Sequence, residues 1–115
     1  MHRELRLSDL SVLRQGLIRL CQSINYGQIA NLTVRDCEPI LSDLQCVVLM
    51  DIKLDAEQPS RREADQSDFL LSAEVVRLMR LLDEIEDGTI SRLEVRAGIP
   101  RRILWERRAL GTIAT

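Results

Sequence analysis

Three aromatic residues are scattered through the 115 positions: Tyr26, Phe69 and Trp105. A core built from this chain is therefore aliphatic, and there are too few rings for a platform that stacks successive bases of single-stranded nucleic acid. Histidine occurs once, as His2, and cysteine three times, as Cys21, Cys37 and Cys46, without a CxxC spacing. One chain cannot assemble a zinc ligand set from these. Lys53 is the single lysine, and the other fifteen basic residues are arginines. The longest uninterrupted apolar run, "CVVLM" at 46–50, is far too short to span a bilayer. The opening "MHRELRLSDL" is charged from its start, unlike a secretory leader. The expectation is a reduced, cytoplasmic protein with no membrane association. No P-loop, GxGxxG or GxSxG motif occurs, so the sequence names no cofactor and no catalytic residue.

What is present is a repeat. Residues 24–39, "INYGQIANLTVRDCEP", return sixty-one positions later as "IEDGTISRLEVRAGIP", with seven of sixteen positions identical: Ile24/Ile85, Gly27/Gly88, Ile29/Ile90, Leu32/Leu93, Val34/Val95, Arg35/Arg96 and Pro39/Pro100. Upstream, Ser11/Ser72, Leu17/Leu78, Arg19/Arg80 and Leu20/Leu81 continue the match. Leu10, Leu13, Leu17, Cys21 and Ile24 share one helical face, as do Leu71, Val75, Leu78, Leu82 and Ile85. The first helix is expected to start after Ser8, with Asp9 in its first turn, and the second at Asp68 or Ser72. Both should stop before a glycine that supplies a positive φ. Gly16, inside the first helix, invites the idea of a close backbone approach.

After each glycine the apolar period falls to two, at Leu32 and Val34 and at Leu93 and Val95, which signals a half-buried strand. Ile29 and Ile90 lie out of phase with it, which a bulge or bend would reconcile. Each proline follows the turn, so its strand should be an edge or should start there. "CVVLMDIKL" reads as the longest strand, alternating at Val48, Met50, Ile52 and Leu54, and residues 55–67 as a polar linker. The expected fold is α+β: a single domain of two αββ halves (8–54 and 68–107), with two helices on one face of a mainly antiparallel sheet of about four strands. The terminal "ALGTIAT" carries little structural signal and should fray.

The run I-x-Y-G-x-I-x-x-L-x-V-R-D-x-x-P resembles the block after the helix in the small bacterial YezD-like proteins, through Ile24, Tyr26, Gly27, Ile29, Val34 and Asp36. The resemblance implies an αββ unit and transfers no catalytic residue. The second copy departs from it at Asp87 and Ala97, and the first at Cys37, where an aspartate-glycine turn would place glycine.

Charge is uneven beneath a net −2: residues 51–90 carry five basic and eleven acidic groups, residues 91–115 six basic and two acidic. Three functional readings follow. The first is a non-enzymatic interaction or assembly module, dimeric through sheet edges or helices, with Arg35, Arg96, Arg101, Arg102, Tyr26 and Cys37 as interaction candidates. Arg35 and Arg96 would there form either a symmetric anion-binding pair or ordinary cross-strand partners. The second is a DNA-binding regulator with a helix-turn-helix at 90–110, "ISRLEVRAGIPRRILWERRAL", weakened by the strand-like recurrence of its first half and by the negative net charge. The third is a metal or small-molecule site on the acidic cluster Asp83, Glu84, Glu86 and Asp87, whose alternative is a solvated surface or pairing with Arg101, Arg102, Arg107 and Arg108.

Overall fold

The computed structural model describes residues 4–57, 59 and 62–107. Two helices, α1 (Val12–Ile24) and α2 (Ala73–Ile85), cover one face of a sheet built from β1 (Gly27–Arg35), β2 (Glu38–Ile40), β3 (Val47–Met50), β4 (Gly88–Arg96) and β5 (Ile99–Glu106). The sheet has five strands, not four. β1 and β4 lie antiparallel at its centre, β5 flanks β4, and β2 and β3 flank β1 one after the other.

Each helix starts where the repeat register says it should. The Ser11 hydroxyl accepts from the Arg14 N–H at 3.2 Å, and the Ser72 hydroxyl from the Val75 N–H at 3.3 Å. These caps satisfy donors that the first turn leaves free. Ser8 is not a cap, because a short 3-10 turn at Leu7–Asp9 intervenes. Its N–H and hydroxyl donate instead to Asp68. The helices do end ahead of their glycines, but the positive φ belongs to Asn25 (62°) and Glu86 (59°). Each is the centre of a γ-turn, closed by Tyr26 N–H to the Ile24 carbonyl at 2.7 Å and by Asp87 N–H to the Ile85 carbonyl at 2.6 Å. Gly27 serves another purpose: a Cβ there would stand 2.2 Å from the Leu49 carbonyl oxygen of β3. Gly16 answers no close approach, since a Cβ would meet only Leu41 Cδ1 at 3.9 Å.

The core is aliphatic apart from Phe69. Leu17, Cys21 and Ile24 of α1 and Leu78, Leu82 and Ile85 of α2 pack onto Ile29, Leu32 and Val34 of β1 and Ile90, Leu93 and Val95 of β4. Removing such side chains from water stabilises the fold by about 1.5–3 kcal/mol each. β1 and β4 have the same burial pattern, and bulges explain it. Asn31 takes φ 57° in β1, and the β4–β5 register shifts at Ser91, so Ile29 and Leu32, like Ile90 and Leu93, reach the same face three residues apart. The β1–β4 register is invariant when the halves exchange: Gly27 faces Val95 while Val34 faces Gly88, and Ile29 faces Leu93 while Leu32 faces Ile90. A local two-fold therefore passes between the central strands.

Residues 88–106 form the β-hairpin that the repeat predicts, in place of the alternative helix-turn-helix at 90–110; positions 108–110 lie outside the described residues. The hairpin turns at Ala97 (φ 52°) and Gly98 (φ 75°), and its counterpart at Asp36 (53°) and Cys37 (65°). Both are two-residue turns with positive φ at each position, as right-twisted strands require. Pro39 and Pro100 lie on edge strands, as expected. The linker contains a 3-10 turn at Arg62–Asp65 and is tied to α1 by Arg19, which donates to the Glu63 and Gln66 carbonyls. His2, Arg108 and the segment 109–115 lie outside the described residues.

Candidate interaction surface

The two halves differ most in their outer strands. In the second, β5 runs unbroken from Ile99 to Glu106. In the first, the chain leaves β1 after Ile40, loops through residues 41–46 and returns as β3. Pro39 faces Val34 as Pro100 faces Val95, at offset 61, but Val48 faces Ile29 as Trp105 faces Ile90, at offset 57. The first half thus carries a four-residue insertion. Asp43 shapes it: its carboxylate accepts from the Gln45 N–H at 3.0 Å and the Thr33 hydroxyl at 2.8 Å, and its carbonyl from the Cys46 N–H. Those donors, the Gln45 N–H foremost, hold the Asp43 carboxyl below its ordinary pKa.

The insertion puts a wholly apolar strand on the rim of the sheet. Val47, Val48, Leu49 and Met50 are 46%, 36%, 47% and 50% exposed, and Leu44, Ile52 and Leu54 around them are more exposed still. "CVVLMDIKL" is accordingly not the longest strand; only Val47–Met50 is strand, and the residues on both of its faces are exposed. At the new offset, Glu106 stands where the first half has Leu49, and Arg107, the residue just past the end of β5, follows it as Met50 follows Leu49. The same station is charged on one edge and aliphatic on the other. A flat apolar edge invites further pairing, and folded proteins ordinarily guard it with charge, proline or a bulge. β5 has two register shifts and Arg101, Arg102 and Glu106; β3 has none of these devices.

The residues singled out from sequence fall into three places. Tyr26 and Arg96 meet beside β3, where with Leu49, Met50, Arg92 and Glu94 they line a shallow recess of about 320 Å³. Arg101 and Arg102 lie on β5 and are paired, with Glu74 at 2.8 Å and Glu94 at 3.4 Å. Arg35 and Cys37 belong to the first hairpin turn. Because β1 and β4 are antiparallel, Arg35 and Arg96 stand at opposite ends of the central pair and cannot grip one anion together. Burial, then Asp83, Glu86 and Asp36, raise the Cys37 pKa, so its thiol is held protonated rather than activated. Cys21 is pushed up to about 12 by burial in the core.

The acidic cluster is a solvated surface, as one of its readings had it: Asp83, Glu84, Glu86 and Asp87 are all exposed. Asp83 pairs with Arg14 of α1, and the Asp87 carboxylate accepts from the Asp36 N–H at 2.9 Å. The arginines of β5 find partners elsewhere. Among the described residues, no three histidine, cysteine or acidic side chains converge on a point that could hold a metal ion. No described helix is long and apolar enough to cross a membrane. Sequence reading missed two features. Arg14, only 13% exposed, bonds Glu38, Asp83 and the Cys37 carbonyl. The apolar rim also escaped it, although its signal was there, in an apolar run whose counterpart in the second copy is charged.

No protein-family model, curated protein or solved structure matches this chain.

Proposed function

We propose that this protein is a non-enzymatic interaction or assembly module that works through the β3 rim of its duplicated αββ scaffold. The observation that carries the reading is the unguarded aliphatic strand Val47–Met50, exposed on both faces and flanked by Leu44, Ile52 and Leu54. Isolated exposed aliphatic residues are ordinary, but a contiguous series of them on a sheet edge marks a surface meant to be covered. The recess at Tyr26 and Arg96 adjoins this edge and supplies polar contacts at its border. The likeness of the first block to the YezD-like proteins belongs to the same reading and adds no chemistry to it.

The test compares the wild-type chain with a Val47→Lys/Leu49→Lys variant. Light scattering from micromolar to millimolar concentration should show association that the variant lacks, or affinity capture should retain a partner that the variant releases. If both forms stay monomeric and capture the same background, the reading fails.

A further inference from the structure

The hydrogen-bond phase of β3 identifies what can cover it. The Asp51 N–H donates to the Tyr26 carbonyl at 2.8 Å. Antiparallel ladders alternate, so Leu49 and Val47 also turn their backbone groups towards β1, opposite Gln28 and Ala30. Val48 and Met50 must then point their N–H and C=O groups outward, with no strand beyond them among the described residues.

We infer that two copies of this chain pair antiparallel through β3, about a two-fold axis at Leu49, into one continuous sheet. In that register Val48 of each copy exchanges two hydrogen bonds with Met50 of the other, and the two Leu49 side chains meet on the face away from the helices. All contacts from 48 to 50 are aliphatic, and Asp51 falls opposite Val47 rather than against its own copy. The arrangement repeats across the dimer the antiparallel, two-fold solution that β1 and β4 adopt within the chain. It also terminates. Each copy has one unguarded edge, and the outer edges of the joined sheet are the two β5 strands with their register shifts and arginines. A β3-to-β5 contact would instead bury Glu106 and Arg107 against aliphatic side chains and would propagate as a filament. A stable pair buries about 800 Å² per partner, and the seven exposed apolar residues between 44 and 54 are those placed to supply it.

This inference rests on the interaction reading, and the experiment separates the two. Sedimentation velocity on the full chain, from micromolar to millimolar, should show a closed monomer–dimer equilibrium. Val48→Pro deletes only the outward donor, and the two-fold doubles the lesion. The dimer dissociation constant should rise by about 100-fold, the effect of two lost ladder bonds, with an unchanged far-ultraviolet spectrum. Leu49→Arg, which keeps the backbone and sets like charges on the axis, should do the same if the proline variant folds poorly. Amide exchange at Val48 and Met50 should slow with concentration, whereas Leu49 stays protected throughout. A wild-type monomer at millimolar concentration, a dimer that survives Leu49→Arg, or open-ended growth overturns the pairing. If the monomer still captures a partner that Leu49→Arg releases, the interaction reading stands without it; if it captures none, both fall.

Discussion

Cys37 and Gly98 hold the same station in the two halves, and each ties its hairpin turn to the helix end of the other half. The Cys37 N–H donates to the Glu86 carbonyl at 2.8 Å, and the Gly98 N–H to the Asn25 carbonyl at 2.9 Å. Exchanging the halves turns one bond into the other. The contact between halves is thus made of backbone as well as side chains, and it demands a left-handed residue at both turns.

Cys37 meets that demand without glycine's freedom. Its φ is 65°, a conformation that costs an ordinary L-residue about 1–2 kcal/mol. Cys37→Gly should stabilise the protein by about 1 kcal/mol, the turn strain relieved less the entropy glycine loses. Urea unfolding would show a higher midpoint at unchanged slope. A lower midpoint would mean that the weak Sγ contact to the Asp83 carbonyl outweighs the strain.

Gly16 offers a second gain. It sits within α1 and has room for a methyl group, with Leu41 Cδ1 3.9 Å away. Gly16→Ala should add about 0.5–1 kcal/mol by removing the entropy cost of glycine in a helix interior. A melting temperature raised by roughly 4 °C is expected for a chain of this size.

Arg14 is a lynchpin between halves. From α1 it reaches Glu38 at 3.2 Å, the Cys37 carbonyl at 2.9 Å and Asp83 of α2. Arg14→Leu should cost about 2 kcal/mol, less than the 3–5 kcal/mol of breaking a fully buried pair, because Asp83 is 65% exposed and water can replace the lost partner. Denaturant titration measures it, and adding Asp83→Asn should cost little more in the Arg14→Leu background.

Asp68 makes acid stability a local question. It accepts from Arg6 Nε at 2.9 Å and from the Ser8 N–H and hydroxyl, each at 3.0 Å. With the Arg6 bond first among the causes, these hold its pKa at about 2, below the unfolded 3.8. A depressed carboxyl stabilises the fold above its unfolded pKa and loses that contribution as pH falls through the folded one. Asp68→Asn should therefore melt below wild type at neutral pH, and the gap should close between about pH 4 and pH 2. A gap independent of pH would contradict this.

Some of this architecture could be read one residue at a time. Ser11 and Ser72 matched in the repeat and both proved to be caps; applied strictly, the same register excludes Ser8 and Asp68. The phase slip at Ile29 and Ile90 called for a bulge or bend, and Asn31 and Ser91 supply bulges. The repeat also argued against the helix-turn-helix, since one block was unlikely to be strand in one copy and helix in the other. The four-residue insertion was harder. Beyond Pro39 the copies share too little sequence to align, so Val48 could not be set against Trp105, and an apolar run reads alike whether a strand is covered on both faces or on neither.

Local periodicity and the 61-residue offset by themselves favoured two helix–hairpin halves over the helix-turn-helix alternative, because those signals act over a turn of helix or a pair of strand residues. Only the tertiary structure decided how the halves join, which carboxylates Arg14 would claim and which edge would be left bare. Those outcomes depend on contacts between residues far apart in the chain, where pairing register and packing, not local preference, set the energy.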